Sequence, residues 1–521
     1  MAWAWRKLRM LNALASRCQH RRGDGVKKQE SAGLSGGRRC ASALLLLIGL
    51  SLGGCASLAP GYVRPALPIP EHFERSGSLD ATTGVNPTSP AAGIAWQDYF
   101  TDPRLRALIE QALASNRDLR AALLRVEEAR AAYGIQRADR LPTIGAAFDA
   151  TRARVPADLN VTRKPVLGNQ IQLGVGLSSW ELDLWGRVRD LNDAALQSYL
   201  ATDAARRAAT LSLVAQVANA YLGLSELDER LVLARRAAAS RNESLRIFHR
   251  RVELGATSRL ELTQVELLWQ QASVLVAQLE QSRAVQVHAM ALLVGTAPQL
   301  PPSLGRIEDQ AVLAPLEPGL ASALLLNRPD IVAAEHGLKA AHANIGAARA
   351  TFFPRITLTS AFGTASAELD GLFDSGSRAW TLAPSIALPI FDGGRRRAAL
   401  DLAEVRREQS VLRYEQAVQA AFRDVSDALA ARRWFGEQVE IVRATLAVQT
   451  ERARLAKLRY DSGAARYLEV LDAERDLLGV QQQLVQTQRA WLSAQVALYT
   501  ALGGGSQQIA PQLGASAPRP E

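Results

Sequence analysis

The feature that most constrains this chain is a proline-free stretch from Ile390 to Ile509. Its commonest residues include Ala, Leu, Arg, Gln and Glu, which are strong helix formers. It has one sharp break, around Gly463, where a glycine can take the left-handed conformation that ends a helix. The stretch therefore predicts two long antiparallel helices joined at Gly463. The first would cover roughly 65 residues, or about 100 Å, which is far more than a globular core needs.

The same pattern occurs twice in the chain. Residues 251–261 match residues 459–469, and the offset of 208 positions also relates Gly186 to Gly394. Each half reads as a helix, two strands, a long helix, a glycine turn and a second long helix. A constant offset of this kind indicates an internally duplicated structure.

Segment boundaries follow from this repetition. We predict a first repeat with its hairpin tip at 255, a linker, a second repeat with its tip at 463, and a disordered tail. These segments cover residues 103–295, 296–316, 317–503 and 504–521, respectively.

The first 54 residues read as an export signal. Arg38-Arg39 precede an apolar run that ends at Gly53-Gly54-Cys55, as in a secretory signal peptide. This ending resembles the bacterial lipobox, which implies that Cys55 is lipidated and becomes the mature N-terminus; an ordinary signal peptide is the alternative. Because 37 residues are long for the basic leader of a signal, we expect the true translation start downstream. Residues 55–102 are rich in Pro and Gly and are predicted to be an extended segment.

Four stretches alternate between apolar and polar side chains over about ten residues, which is typical of strands with one apolar face and one polar face. In the second of them the alternation changes phase near Ser179, which indicates a bulge or a departure from the membrane. The predicted strands cover about 143–153, 170–185, 355–364 and 379–391.

Four membrane strands cannot close a barrel alone, because open sheet edges are not tolerated in lipid. Two copies would give eight strands, whose side chains fill the interior, whereas three copies give twelve and leave a lumen. We therefore predict an α+β membrane protein. In it a trimer forms a 12-stranded transmembrane β-barrel, and long antiparallel helical hairpins continue the barrel as a tunnel. The alternative is a soluble β-sandwich attached to a coiled coil.

Composition argues against several functions. The formal net charge is +10, but residues 1–39 hold ten Lys and Arg against Asp24 and Glu30, so no basic patch for nucleic acid stands out later. All cysteines lie in the first 55 residues, which leaves no disulfide framework beyond them. The histidines are scattered, and no phosphate loop or nucleophile elbow is present. We expect no enzyme activity, cofactor or metal.

Several of these features together resemble the outer membrane factor (TolC-like) family, in its NodT/OprM-type branch of efflux lipoproteins. They are the lipobox, Gly-Tyr-Val-Arg-Pro at 61–65, the two matching halves and Leu468-Glu-Val-Leu-Asp-Ala-Glu-Arg475. The resemblance covers about residues 56–505. It implies a homotrimer in the cell outer membrane, anchored by lipid and extending into the periplasm. It also implies two partners, a periplasmic adaptor (membrane fusion) protein and an inner-membrane pump, usually of the resistance–nodulation–division type.

The resemblance implies that the protein is the passive outer membrane channel of a tripartite efflux system and exports drugs or other toxic compounds. Two alternatives stay open. One is a type I secretion duct for polypeptides, and the other is a periplasmic coiled-coil scaffold lipoprotein without a pore.

The candidate gate lies beside the Gly463 turn. Leu468, Asp472 and Arg475 lie at i, i+4 and i+7, on one helix face. By the resemblance, Leu468 and Asp472 constrict the periplasmic end of the pore, while Arg475 and Tyr460 bridge between helices. The alternative is that Asp472 and Arg475 are ordinary solvated charges. The matching residues of the first half are Val252, Leu260, Gln264 and Leu267, which carry no charge. We therefore expect gating in the second hairpin.

The two turns are the expected contacts with the adaptor, because their small residues allow close approach; plain helix caps are the alternative. The residues concerned are Gly255, Ala256, Gly463 and Ala464. Four aromatic residues near strand ends fit either an interfacial belt or core packing. They are Trp180, Trp185, Trp380 and Phe391.

Overall fold

A computed structural model describes residues 57–66, 69–70, 93–301, 303–307, 316 and 328–506. The predictions for the signal peptide, for Cys55, for residues 71–92 of the extended segment, for residues 308–315 of the linker, for residues 317–327 of the second repeat and for the tail beyond 506 lie outside the described residues.

The described chain is dominated by helices, two of which are 67 residues long. At about 1.5 Å per residue each of these spans about 100 Å. The helices are α1 (Trp96–Tyr99), α2 (Pro103–Ser115), α3 (Arg117–Ala138), α4 (Arg187–Glu253), α5 (Arg259–Val294), α6 (Pro329–Ala350), α7 (Arg395–Asp461) and α8 (Tyr467–Ala501).

The two parts of the chain contain the same elements in the same order. α3 and α6 have 22 residues each, α4 and α7 have 67 each, and α5 and α8 have 36 and 35. In both parts, two strands lie between the 22-residue helix and the 67-residue helix. Both long helices begin after a glycine with positive φ, Gly186 and Gly394, because the chain turns sharply there from sheet to helix.

The strands form one antiparallel sheet in the order β1-β2-β3-β4. Strand β2 begins earlier than predicted and ends at Glu181, and its register shifts between Leu177 and Trp180, where Ser179 has a φ of 41°. The phase change near Ser179 is therefore a β-bulge. Strand β4 ends at Ala387, before the predicted 391, because its partner β3 begins at Arg355, which pairs with Ala387. The strands are β1 (Ile144–Val155), β2 (Val166–Glu181), β3 (Arg355–Ser366) and β4 (Arg378–Ala387).

All four apolar strand faces lie on the same side of the sheet. Residues that pair directly across antiparallel strands share a face, and the register pairs apolar residues in continuous rows. One row is Ala146, Val175, Phe362 and Trp380, and the next is Ile144, Leu177, Ser360 and Leu382. The opposite face is small and polar, with rows such as Gly145, Gly176, Ala361 and Thr381.

Most of this sheet is exposed, although its apolar face would need covering in water. Strands β1 and β4 each leave one edge without a partner strand in the described chain. The described residues contain no second sheet that could pack on it, which argues against the β-sandwich alternative.

The main hydrophobic core lies where the shorter helices pack against the long ones. Four tyrosines are at most 1% exposed there, and the rings of Tyr99 and Tyr499 stack with centroids 4.1 Å apart. Two of the four hydroxyls form hydrogen bonds as follows: Tyr99 donates to the Gln495 carbonyl at 2.9 Å, and Tyr221 donates to Asp102 at 2.5 Å. The buried Tyr414 hydroxyl has no hydrogen-bond partner among the described residues. Among the described helices, α4 has a stretch long and apolar enough to cross a membrane, but most of that stretch is buried in the protein.

The beginning of the predicted tail is in fact part of this core. Residues 504–506 are buried, and Ser506 is 4% exposed. A Cβ on Gly504 would lie 2.3 Å from the ring of Tyr499, so the glycine allows the chain to pass over the ring. The prediction of disorder from residue 504 is therefore corrected for 504–506, because glycines here serve close packing rather than flexibility.

An N-terminal strap, residues 57–66, runs along α6. The α6 residues that meet it are one turn apart: Glu335, Lys339, His342 and Gly346. Glu335 accepts hydrogen bonds from Tyr62 at 3.1 Å and from Arg64 at 3.0 and 2.8 Å, and Lys339 lies 3.0 Å away.

Burial alone would raise the pKa of Glu335, but the hydrogen bonds from Arg64 and Lys339 outweigh it and lower the pKa. The same site raises the pKa of Tyr62 to about 12, through burial and the neighbouring Glu335 charge. The Gly-Tyr-Val-Arg-Pro motif is therefore the attachment of this strap.

Candidate functional site

At the tip between α4 and α5, a glycine ends α4 and a serine caps the start of α5 a few residues later. Gly255 has a φ of 68°, and the amide of Ala256 donates to the Arg251 carbonyl at 2.8 Å. This 6→1 bond closes the end of α4. Ser258 then caps α5 by accepting from the Glu261 amide at 3.2 Å. The tip is therefore short and rigid, with its backbone hydrogen bonds satisfied locally.

The tip between α7 and α8 has the same backbone geometry. Gly463 has a φ of 79°, and the Ala464 amide donates to the Arg459 carbonyl at 2.8 Å. The second helix lacks a side-chain cap at Arg466, but an ion pair between Arg459 and Glu469 at 3.0 Å joins the two helices of the hairpin. Residues 462–464 are exposed, as are residues 254–256 of the other tip.

A cluster of aromatic rings connects the two tips. The Arg251 guanidinium hydrogen-bonds the Tyr460 hydroxyl and lies 5.7 Å from the centroid of that ring. Tyr467 packs between Tyr460 and Phe248, at centroid distances of 4.9 and 4.5 Å. Its hydroxyl donates to Ser244 at 2.8 Å, and burial raises the pKa of Tyr467. Tyr460, which the sequence assigned to a bridge between helices, therefore contacts the other hairpin.

The remaining three gate candidates lie on the exposed side of α8. Leu468 is 46% exposed, and the side chains of Asp472 and Arg475 are 42% and 57% exposed. Asp472 Oδ1 lies 3.4 Å from Arg475 Nη1, so the two form an ion pair within one helix. The structure thus places an apolar side chain and an ion pair on one open face next to the tip.

Within one chain, Arg475 pairs with its own helix and does not reach another. Its second carboxylate partner is Asp476 of α8, at 3.3 Å. The connection to α7 comes instead from Arg452, which binds Asp476 at 2.7 Å and lowers the pKa of that carboxyl. Because both carboxylate partners of Arg475 belong to α8, a bridge from Arg475 to another helix stays a prediction for the assembled protein.

A buried charge lies behind the gate face. Arg241 of α4 is 5% exposed, donates to the Leu268 carbonyl at 3.1 Å, and has its pKa lowered by burial. Glu474 of α8 faces it. Burial raises the pKa of Glu474, while the charge of Arg241 opposes that rise. Arg241 of α4 therefore contacts α5 through the Leu268 carbonyl and attracts Glu474 of α8.

Sequence reasoning missed Arg251, Phe248, Ser244, Arg241 and Glu474. Their contacts with the other helices join positions far apart in the chain, so helical spacing could not reveal them. One signal was available: Arg251 matches Arg459 at the repeat offset of 208, and both precede a glycine turn by four residues.

The comparison with known families defines the class of protein. The family model described as outer membrane efflux protein matches residues 108–296 and 320–504. The chain therefore belongs to the outer membrane efflux protein family, and the resemblance to TolC-like, OprM-type proteins is confirmed.

Individual relatives are similar in sequence to this chain over most of their length. Outer membrane protein OprJ of Pseudomonas aeruginosa is 42% identical over 463 residues, which cover 88% of this chain and 95% of OprJ. Toluene efflux pump outer membrane protein TtgF of Pseudomonas putida is 43% identical over 472 residues, or 90% of this chain and 98% of TtgF.

A solved structure is also similar. The open state of the Neisseria gonorrhoeae MtrE outer membrane channel is 38% identical, with a TM-score of 0.78 over 86% of this chain and 98% of that one. Together these matches give the chain the role of an outer membrane efflux channel, which is transport rather than catalysis.

Proposed function

We propose that three copies of this chain form a passive duct, anchored by lipid at Cys55, for small toxic compounds. The duct receives them from an inner-membrane pump and a periplasmic adaptor. The observation that carries this proposal is the exposed sheet, whose four strands have one continuous apolar face, one small and polar face, and two unpaired edges.

The sheet supports a barrel shared between chains. Lipid does not tolerate unpaired strand edges, so β1 of one copy pairs with β4 of the next. Three copies give twelve strands with the apolar rows facing lipid and the glycine, alanine and threonine rows facing the lumen. This face also distinguishes the channel from a periplasmic scaffold, which has no need of an exposed apolar sheet.

The long helices support the same threefold assembly. On α7, exposed apolar side chains recur every seven residues, and α5 carries a similar series. An apolar residue at every seventh position is typical of helices that pack against another helix, and in one copy these series have no cover. We call them the α7 stripe and the α5 stripe. They consist of Trp434, Ile441, Val448 and Leu455, and of Leu260, Leu267 and Val274, respectively.

We further propose that the two halves arose by duplication of one strand-and-hairpin unit. The equal element order and helix lengths support it. The two tips then form a ring of six small turns around the tunnel mouth, which fits docking by the adaptor's own helices. Gly255, Ala256, Gly463 and Ala464 are the proposed contact residues.

The cargo is inferred from chemistry and relatives. The lumen rows are small and mostly uncharged, which suits a wide conduit without its own selectivity. TtgF is named for toluene efflux. We therefore propose small apolar toxic compounds as cargo, selected by a pump of the resistance–nodulation–division type.

The gate is proposed at Leu468, Asp472 and Arg475. Three copies bring three such faces together at the tunnel mouth, where leucines narrow the opening and Asp472 and Arg475 of neighbouring copies pair to hold it closed. Replacing both charges, Asp472→Ala with Arg475→Ala, should raise single-channel conductance severalfold in planar bilayers, because the proposed ion pairs between copies are lost.

A matched control is the double variant Glu451→Ala with Arg454→Ala. These residues form another exposed ion pair of the same spacing, at 2.8 Å on α7. Conductance of the control should equal that of the wild type. Equal conductance of the Asp472/Arg475 variant and the control would refute the gate, and absence of any channel in the wild type would refute the proposed function.

A further inference from the structure

The apolar face of the sheet carries charge at one end only. By the strand register, Arg152 and Arg154 of β1 share this face with Phe148, and Arg378 shares it through its partner Thr364. They are the only charged residues on this face of the four strands. All other positions there are apolar, serine, threonine or asparagine.

These three arginines lie at the end of the sheet that is remote from the long helices. Arg152 and Arg154 belong to the last four residues of β1, and Arg378 is the first residue of β4. At the other end, where the sheet joins α4 and α7, the same face ends in Ile356 paired with Ile386. The charge is therefore confined to the rim next to the connecting loops.

All three arginine side chains are exposed, and none has an ion-pair partner among the described residues. Within the described ranges, no carboxylate lies within ion-pair distance of Arg152, Arg154 or Arg378, although the β3–β4 connection holds acidic residues. The base of the sheet differs, because Arg187 and Arg355 each lie 2.8 Å from Glu181. The charges at the base are thus internally compensated, whereas those at the rim are not.

The position of the rim defines what meets it. In the proposed barrel the helices extend into the periplasm, so the loops emerge at the outer surface and the rim lies at the headgroups of the outer leaflet. Guanidinium groups bind phosphate oxygens through paired, charge-assisted hydrogen bonds. Their long stems can lie along the apolar surface while the charged heads reach the headgroup layer.

We propose that Arg152, Arg154 and Arg378 form a collar around the barrel that binds the phosphate groups of lipids in the outer leaflet. This inference rests on the proposed function, since it needs the threefold barrel. Three copies would place nine guanidinium groups around the barrel, each near a strand connection. By the strand register, Arg378 lies in the row of Phe148, four and six residues along β1 from Arg152 and Arg154. The collar would hold a shell of phosphorylated lipid around the channel.

The test compares the full-length trimer with the triple variant Arg152→Gln, Arg154→Gln, Arg378→Gln. Each is titrated in detergent with bis-phosphorylated lipid A, and bound lipid is counted by native mass spectrometry. The variant should bind lipid A at least tenfold more weakly. Lipid A stripped of its phosphates should bind wild type and variant equally and weakly, and inorganic phosphate should not displace the intact lipid.

The control variant is Arg120→Gln, Arg125→Gln, Arg236→Gln, which removes the same charge from exposed helical arginines that have no ion pair in the described structure. It should bind lipid A like the wild type. Equal binding by all three proteins, or displacement by inorganic phosphate, would overturn the collar. Bilayer conductance distinguishes failure of the collar from failure of the proposed channel. If the wild type conducts but all three proteins bind lipid A equally, the collar alone is overturned. A wild type that forms no channel overturns both proposals.

Discussion

At the scale of single residues, the two hairpin tips depend on glycine for a specific reason. Gly255 and Gly463 have φ values of 68° and 79°, and a Cβ at either position would meet nothing within 4 Å. The requirement is therefore backbone conformation alone and not lack of space. In the left-handed region a side chain costs roughly 1–2 kcal/mol.

Gly463→Ala should consequently lower the stability of the second tip by about 1 kcal/mol. Gly479→Ala is the matched control. Gly479 lies within helix α8, also with nothing within 4 Å of a Cβ, so alanine there should stabilise by roughly 0.5–1 kcal/mol. Hydrogen exchange of residues 455–475 measures both effects, and protection that falls equally in the two variants would contradict this account of the turn.

At the scale of elements, the N-terminal strap is attached to α6 chiefly through Glu335. The carboxylate pairs with Arg64 and Lys339 and accepts a hydrogen bond from the Tyr62 hydroxyl. Its pKa is lowered in the folded protein. A lowered carboxyl pKa stabilises the folded state fully above the ordinary glutamate value of about 4.3. That contribution is lost as the pH falls through the lowered folded-state pKa.

Glu335→Gln should therefore loosen the strap at neutral pH, by about 1.5–3 kcal/mol for charged hydrogen bonds, or roughly tenfold to hundredfold faster local opening. Hydrogen exchange of residues 57–66 measures it. Glu404→Gln provides the control, because Glu404 makes only an exposed pair with Arg349 at 3.7 Å. Wild-type strap protection should decline below pH 4, whereas the Glu335→Gln strap should show no such step; a strap insensitive to both changes would exclude this role for Glu335.

At the scale of the whole molecule, one copy leaves much apolar surface uncovered. The apolar sheet face, the α7 stripe and the α5 stripe are all exposed. We propose that lipid covers the sheet face and that neighbouring copies cover the two stripes. Assembly should therefore be sensitive to charge on the stripes and insensitive to charge on other exposed positions of the same helices.

Val448→Glu should reduce the trimer fraction in mild detergent, because it places a carboxylate in the apolar contact between copies. Thr450→Glu is the control, since Thr450 is exposed on the opposite side of α7, about 200° around the helix. Size-exclusion chromatography with light scattering gives the oligomer mass. A fully trimeric Val448→Glu protein would rule out the stripe as a contact.

Particular residues show how far the sequence could lead. The alternation in each strand was readable because side chains alternate along any strand. That Ala146, Val175, Phe362 and Trp380 form one row was not readable, because register depends on pairing between strands. The prediction of disorder was wrong for residues 504–506 for a similar reason: the glycines there fit the ring of Tyr499, a contact that composition does not encode.

The sequence by itself determined the helix lengths, the glycine turns at 255 and 463, the strand alternation and the family. These features depend on local backbone preferences, and the family depends on order along the chain. The tertiary structure alone decided which faces meet. It joined Arg251 to Tyr460 between the tips, attached the strap to Glu335, and placed three exposed arginines on one face of the sheet, near the strand connections. Such contacts connect residues far apart in the chain, so only packing in three dimensions can specify them.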